Sequence, residues 1–349
     1  MKYGKPEIHK DQTERYKADY TEKRLLSDNT LIAPLIGSYF LNDKKAFRPE
    51  DFHDKDPNRQ TLTRREKRGT EQTFLRETQR DAFRQVSIKV ADGFAYFLIG
   101  LEAQSYQCWD MALRAADYDL MDYRIQAEKI QEEHQKKKER DPVFRFGRLH
   151  RGDFLNYCGT LVIWFSADPW EGPRDLNELV RFPEGYAKKK FSYPLHLIEP
   201  CAMSDEELMN LGEGIGCPLV MIRNSESQEA LKKAMVKYRK EFSRMSVLAA
   251  DVVNSAVSLG VAISQKDREE GEINMCKAME QMLEQARQEA SVNGIAIGEA
   301  RERARAEAAN RKVVYHLFQL GMPVGQIAAV MSLPAETISD WIEEHEYAA

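Results

Sequence analysis

A chain of 349 residues, 42% hydrophobic and 31% charged, has an ordinary globular composition with room for a core of roughly 150 to 200 residues plus appended elements. Its net charge of −5 decides neither for nor against a nucleic-acid partner, because the charges are spread unevenly. No apolar run reaches the roughly 20 residues of a membrane helix and the start does not resemble a signal peptide, so a soluble, cytoplasmic protein is expected.

In chain order, residues 1–23 are polar and charged and read as a loosely held arm. Ser27-Asp28 then offers a helix cap, and Leu31, Ile32, Leu35, Ile36, Tyr39 and Phe40 recur at helical spacing up to Leu41. Residues 42–80 are polar and read as a solvated loop. The basic residues Arg64, Arg65, Lys67, Arg68, Arg76 and Arg80 within it are also placed to contact phosphate.

Asp81 opens an expected β-hairpin. Phe83 to Val90 is rich in β-branched residues, Ala91-Asp92-Gly93 supplies turn chemistry, and Phe94 to Leu101 is a mostly apolar run ending in Glu102-Ala103-Gln104. Alternation along a strand turns Glu102 and Gln104 the same way. If Asp81 lies across the hairpin, two carboxylates and an amide converge where Mg²⁺, which takes oxygen ligands and retains waters, can sit. A charge at the tip of a buried strand is costly without a cation or water. The alternative is that Glu102 is simply the first exposed residue after that strand.

A long helix is expected from about Trp109 to Arg140, strands at Thr160 to Phe165 and Phe191 to Ile198, and a turn-rich loop at Asp168 to Arg174. Helix, hairpin, strand, helix and two strands together make a mixed α/β core. Past Ser204, whose Ser-Asp-Glu-Glu run resembles a capping box, strand signals stop and helices dominate from Ser227 to Gly260. Residues 275–312 read as an exposed or coiled-coil-like helix interrupted at Gly294 and Gly298, and the last forty residues as three short helices.

The residues around the hairpin resemble a known family. Arg80-Asp81, Gly100-Leu101-Glu102-Ala103-Gln104-Ser105, Met111-Ala112-Leu113-Arg114, Tyr118-Asp119-Leu120 and Tyr123 look like the recombination-promoting nuclease/transposase family of the PD-(D/E)XK nuclease superfamily. Ser27-Asp28-Asn29-Thr30, Asp168-Pro169-Trp170-Glu171-Gly172-Pro173-Arg174 and Glu272 to Ala278 match it too, so the likeness covers most of residues 24–310. The resemblance implies an αβββαβ restriction-endonuclease-like core with an all-α C-terminal extension. It makes Asp81 and Glu102 the metal-holding acids and Gln104 the residue at the position most of the superfamily fills with lysine. A neutral amide there orients water but supplies no cation, which bears on efficiency and on the identity of the general base. Asp28 is a further candidate acid, although Asp after Ser at a helix start is also an ordinary cap.

Other features carry weaker signals. Seven scattered histidines without an H-x-x-x-H pattern, and five widely spaced cysteines without C-x-x-C, argue against a histidine metal site, a zinc site and a disulfide framework. Alternating Gly212, Gly214 and Gly216 read as a loop, and Trp170 with Pro173 as a packed loop anchor or a substrate wall. Lys188-Lys189-Lys190, and Arg145, Arg148 and Arg151 interleaved with Phe144 and Phe146, are solvated surface or DNA-backbone contacts. Gln326 to Leu333 with Ile338 to Trp341 resembles a helix-turn-helix, but Glu336, Asp340, Glu343 and Glu344 disfavour groove insertion, and a helical hairpin for packing or dimerisation is the other reading.

The expected organisation is an arm (1–23), a nuclease-like core (24–202), a helical subdomain (203–265), a charged connector (266–312) and a small helical end (313–349). The expected function is metal-dependent hydrolysis of DNA phosphodiesters with Mg²⁺ or Mn²⁺, with a homo-oligomer through the C-terminal helices as a further possibility. The alternatives are an inactive relative that binds DNA or protein, and a purely structural oligomerisation protein.

Overall fold

The structure, a computed structural model, describes residues 8–67, 70–90, 93–136, 148–185, 191–257 and 259–348. It divides into two compact units, Met1–Met279 and Glu280–Ala349.

The first unit begins with α1 (Ile8–Ser27), so the segment expected to be a loose arm is a helix for most of its length. Ala18, Leu25 and Leu26 form its buried side, and Thr21 Oγ1 lies 2.8 Å from Ser255 Oγ in α8 (Val247–Val257). After it, α2 (Asn29–Leu41) starts where the sequence places it: the Asp28 carboxylate accepts from the Thr30 N–H at 2.8 Å. Ile32, Ala33, Leu35 and Ile36 face the core, and Asn42, left-handed at φ 54°, ends the helix by donating its N–H to Ser38 O.

The stretch expected to be a loop holds three strands. β1 (Phe52–Asp54) joins the main sheet, while β2 (Asn58–Lys67) and β3 (Thr70–Gln79) pair antiparallel as a separate ribbon, from Asn58 opposite Gln79 to Lys67 opposite Thr70. Threonines at 61, 63, 70, 73 and 78 suit a pleated backbone, but the ribbon has no apolar stripe, so the usual strand signal is missing.

β4 (Ala82–Val90) and β5 (Gly93–Gln104) form the expected hairpin, followed by α3 (Met111–Lys136), β6 (Cys158–Trp164) and β7 (His196–Ile198). The sheet order is β1-β4-β5-β6-β7, with β4 antiparallel to both neighbours and β5, β6 and β7 mutually parallel. Parallel neighbours need a long crossover, and α3 lies within the one between β5 and β6. Every residue of β6 is buried, as befits an inner parallel strand. The chain is therefore an α/β protein with a five-stranded mixed sheet. Met111 and Ala115 of α3 pack with Val162, Trp164, Trp170 and Leu195 on one side, while α1 packs against β4 and β5.

Helices follow: α4 (Asp205–Asn210), with the expected Ser204/Glu207 capping box, α5 (Glu213–Arg223), α6 (Gln228–Lys237), α7 (Arg239–Phe242), α8 and α9 (Gln265–Glu270). Two short strands, β8 (Met245–Ser246) and β9 (Glu272–Ile273), pair where none was expected. Gly212, Gly214 and Gly216 are the start of α5 rather than a loop. A Cβ on Gly216 would sit 2.6 Å from Leu208 O, so close helix packing explains that glycine.

α10 (Met275–Gln319) starts in the first unit, burying Met275 and Met279, and runs unbroken through Gly294 and Gly298, where interruptions were expected. In the second unit its end packs with α11 (Val324–Met331) and α12 (Ala335–Ala348) around Val314, Ile327, Ala328, Ile338, Trp341 and Ile342. Tyr315 Oη donates to Trp341 O, and Arg311 pairs with Glu307 and Glu344. Among the described residues no helix is long and apolar enough to cross a membrane.

Candidate active site

The β4–β5 pairing ends with Ala82 opposite Leu101, so Asp81 and Glu102 are the next residues along the two segments. Asp81 Oδ2 accepts the Ala103 N–H at 2.8 Å, which holds its carboxylate beside the end of β5. Glu102 and Gln104 are 3% and 2% exposed, which removes the reading of Glu102 as a surface residue after the strand. Glu102 Oε2 lies 3.4 Å from an Arg114 guanidinium nitrogen, and that nitrogen also donates to Tyr118 Oη at 3.2 Å. Glu102 Oε1 is buried without a hydrogen-bond partner.

α1 adds two residues that the sequence did not single out. Glu22 is 1% exposed and its Oε1 also lacks a partner. Lys23 Nζ lies 3.3 Å from Asp81 Oδ1 and 2.8 Å from Asp19 Oδ2. The available signal was an acid on the helix's apolar stripe, one turn after Ala18 and one turn before Leu25 and Leu26. Reading the segment as an arm hid it.

Burial, with Asp81 as the next cause, pushes the Glu102 carboxyl up to about 8; burial, then Asp19 and Asp81, do the same for Glu22. Burial also raises Asp81, opposed by the Ala103 N–H and Lys23. Asp19, Glu22, Asp81 and Glu102 thus outnumber the cations Lys23 and Arg114 around them, and the raised Glu22 and Glu102 carboxyls hold their protons near neutral pH. Carboxylate oxygens, two of them buried without a partner, are hard donors of the kind a divalent cation takes, but among the described residues no three of these acids bring ligand atoms within 4.8 Å of one another.

Gln104, the last residue of β5, donates from Nε2 to Tyr106 O at 2.7 Å. Asp28 is not part of this group. Its carboxylate is spent on the α2 cap, and it lines a separate cavity of about 600 Å³ with Lys44, Lys45, Gly212 and Arg244.

Arg80 is a correction. It is fully buried and so offers nothing to a DNA backbone. Its guanidinium pairs with Asp122, with Asp119 at 3.0 Å and with Thr160 Oγ1 at 3.1 Å, between the rings of Phe83 and Tyr118. Gly100 makes room for it: a Cβ there would lie 2.5 Å from Arg80 Cδ. Trp170, 4% exposed and edge-on to Trp164, is a packed loop anchor. Arg64, Arg65 and Lys67 belong to β2, but their side chains, like Arg68 and Lys188, Lys189 and Lys190 altogether, lie outside the described residues. Arg148 pairs with Glu128 at 2.9 Å.

No family model, no curated protein and no solved structure matches the chain.

Proposed function

We propose that the chain is a Mg²⁺-dependent DNA endonuclease of the PD-(D/E)XK type, related to the recombination-promoting nuclease/transposase family. The observation that carries this reading is the buried Glu102 carboxylate, with one oxygen unpartnered, near Asp81 at the end of a β-hairpin. Two further features support it: a sheet whose main strands follow chain order with a helical crossover after β5, and a second buried acid, Glu22, brought by the first helix.

Asp81 and Glu102 would hold Mg²⁺ or Mn²⁺. When bound, such an ion supplies Lewis acidity toward the scissile phosphate and acidifies water. The Ala103 N–H orients the Asp81 carboxylate, and Arg114 fixes one oxygen of Glu102 while leaving the other for the ion. Gln104, anchored through Nε2 to Tyr106 O, presents a neutral amide that orients water. The cation that this position lacks is supplied by Lys23, whose ammonium stands beside Asp81. Candidate DNA contacts are Arg64, Arg65, Lys67, Arg68 and Lys188 to Lys190.

The second reading, an inactive nuclease-fold protein that binds DNA or protein, is favoured by one observation: Gln104 is neutral and already committed to the backbone. Plasmid nicking with Mg²⁺ or Mn²⁺ separates the two. The nuclease reading expects nicking by the native chain and its loss in Asp81→Asn and Glu102→Gln; nicking unchanged by both removes this site, and intact DNA binding without nicking supports the inactive reading.

A further inference from the structure

Histidines that are far apart in sequence meet in the fold. His134 lies in the last turn of α3. His150 and Asp153 flank a tight turn in which the Asp153 N–H donates to His150 O at 3.1 Å and Gly152 has φ +100°. A positive φ at the third position of such a turn calls for glycine. Nothing lies within 4 Å of where a Cβ on Gly152 would be, so conformation and not crowding sets that choice. The His134 and His150 rings stack with centroids 4.0 Å apart, and His134 Nε2 lies 3.0 Å from Asp153 Oδ2. One ligand atom from each of the three residues falls within 4.8 Å of the other two.

We propose that His134, His150 and Asp153 form a binding site for a zinc-class transition-metal ion, separate in place and chemistry from the carboxylate site. Two imidazole nitrogens and one carboxylate oxygen are a borderline donor set that favours Zn²⁺, Co²⁺ or Ni²⁺, whereas oxygen-only sites favour Mg²⁺. Zinc bonds of 2.0 to 2.1 Å in a tetrahedron set ligand atoms about 3.3 Å apart, within reach of side-chain rotation from the present spacing. The ion takes over the His134–Asp153 contact and leaves a fourth position for water. The turn supplies two ligands already held together, so the helix end needs to add only one.

The position gives the site a structural use. Along α3, Tyr123 Oη donates to Cys158 O and accepts the Cys158 N–H, at 2.9 and 3.0 Å. Gln126 exchanges hydrogen bonds with the Asn156 backbone at 3.1 and 2.7 Å, and Glu128 pairs with Arg148. His134 with Asp153 is the next rung of this ladder. A metal there ties the end of α3 to the segment that leads into β6, next to the strand that carries Glu102.

The test uses the full chain, stripped of metal with a chelator and titrated with Zn²⁺ by calorimetry in saturating Mg²⁺. X-ray absorption at the zinc edge is then recorded on the one-to-one complex. The proposal expects one Zn²⁺ per chain, imidazole scattering from two histidines, affinity weakened about tenfold or more in His150→Gln, and affinity unchanged in Asp81→Asn/Glu102→Gln. Oxygen-only scattering, or binding that His150→Gln leaves intact, overturns it. If His150→Gln does not fold, as judged by circular dichroism, the absorption spectrum of the native chain decides alone.

Discussion

Arg80 and Asp81 are neighbours in the chain and enter two polar clusters of opposite character. The Arg80 cluster is closed. Its guanidinium meets Asp119, Asp122 and Thr160, and Asp119 in turn accepts from Thr160 Oγ1 at 2.7 Å, the Thr160 N–H at 3.2 Å and Tyr193 Oη at 3.1 Å. The Asp81 cluster is open, with unpartnered oxygens on Glu22 and Glu102 and more acids than bases. A buried polar group left unpaired costs free energy, so a completed network serves the fold and an incomplete one is suited to something that arrives from outside.

The largest expected effect breaks the closed cluster. Arg80→Met strands two buried aspartates and is expected to lower stability by about 3 to 5 kcal/mol, measured by urea denaturation. A loss below about 1 kcal/mol would mean that the two clusters do not differ as described. Glu102→Gln should behave in the opposite way. It replaces a carboxyl that burial already keeps protonated near pH 7, so metal-free stability is expected to change little, while Mg²⁺-dependent nicking falls about 100-fold or more.

The pH dependence sharpens the contrast. The Glu22 and Glu102 carboxyls move from an ordinary 4.5 up to about 8 on folding. Between those values the folded chain holds protons that the unfolded chain has released, so this contribution is full below about 4.5 and is lost as pH rises to about 8. Denaturation midpoints of the metal-free chain should therefore decline across that window. Glu22→Gln/Glu102→Gln should flatten the decline; an undiminished slope in that variant would count against the open cluster.

Smaller effects test the margins. Lys23→Met is expected to slow nicking about tenfold, with partial recovery in Lys23→Arg, because the residue contributes charge beside Asp81. Equal loss in both variants would reduce Lys23 to packing. Asp28→Ala should cost about 1 kcal/mol through the lost cap and leave nicking unchanged. A loss of nicking there would return Asp28 to the list of acids.

The sequence made the open cluster half legible. Alternation and turn chemistry located the hairpin, and with it Asp81, Glu102 and Gln104, because strand geometry links those residues locally. Glu22 escaped, and Lys23 beside it, because the stripe of α1 that buries Glu22 is thin, with only Ala18, Leu25 and Leu26 as apolar markers among its described side chains. Arg80 looked like one more member of a basic run. Its burial depends on the gap at Gly100 and on Asp119 and Asp122 of α3, partners that no local pattern connects to it. The β2–β3 ribbon was missed for a related reason: its pairing lies in the backbone, with no apolar alternation to announce it. His134 and His150 likewise come together only through a tertiary turn.

The most direct test of the open cluster is calorimetric titration of Mg²⁺ into the metal-free chain at pH 7, in two buffers of different ionisation enthalpy. Mg²⁺ is expected to bind with net release of protons from the raised carboxyls, and both the binding and the release are expected to disappear in Asp81→Asn/Glu102→Gln. Absence of binding by the native chain, or binding that survives both substitutions, would contradict it.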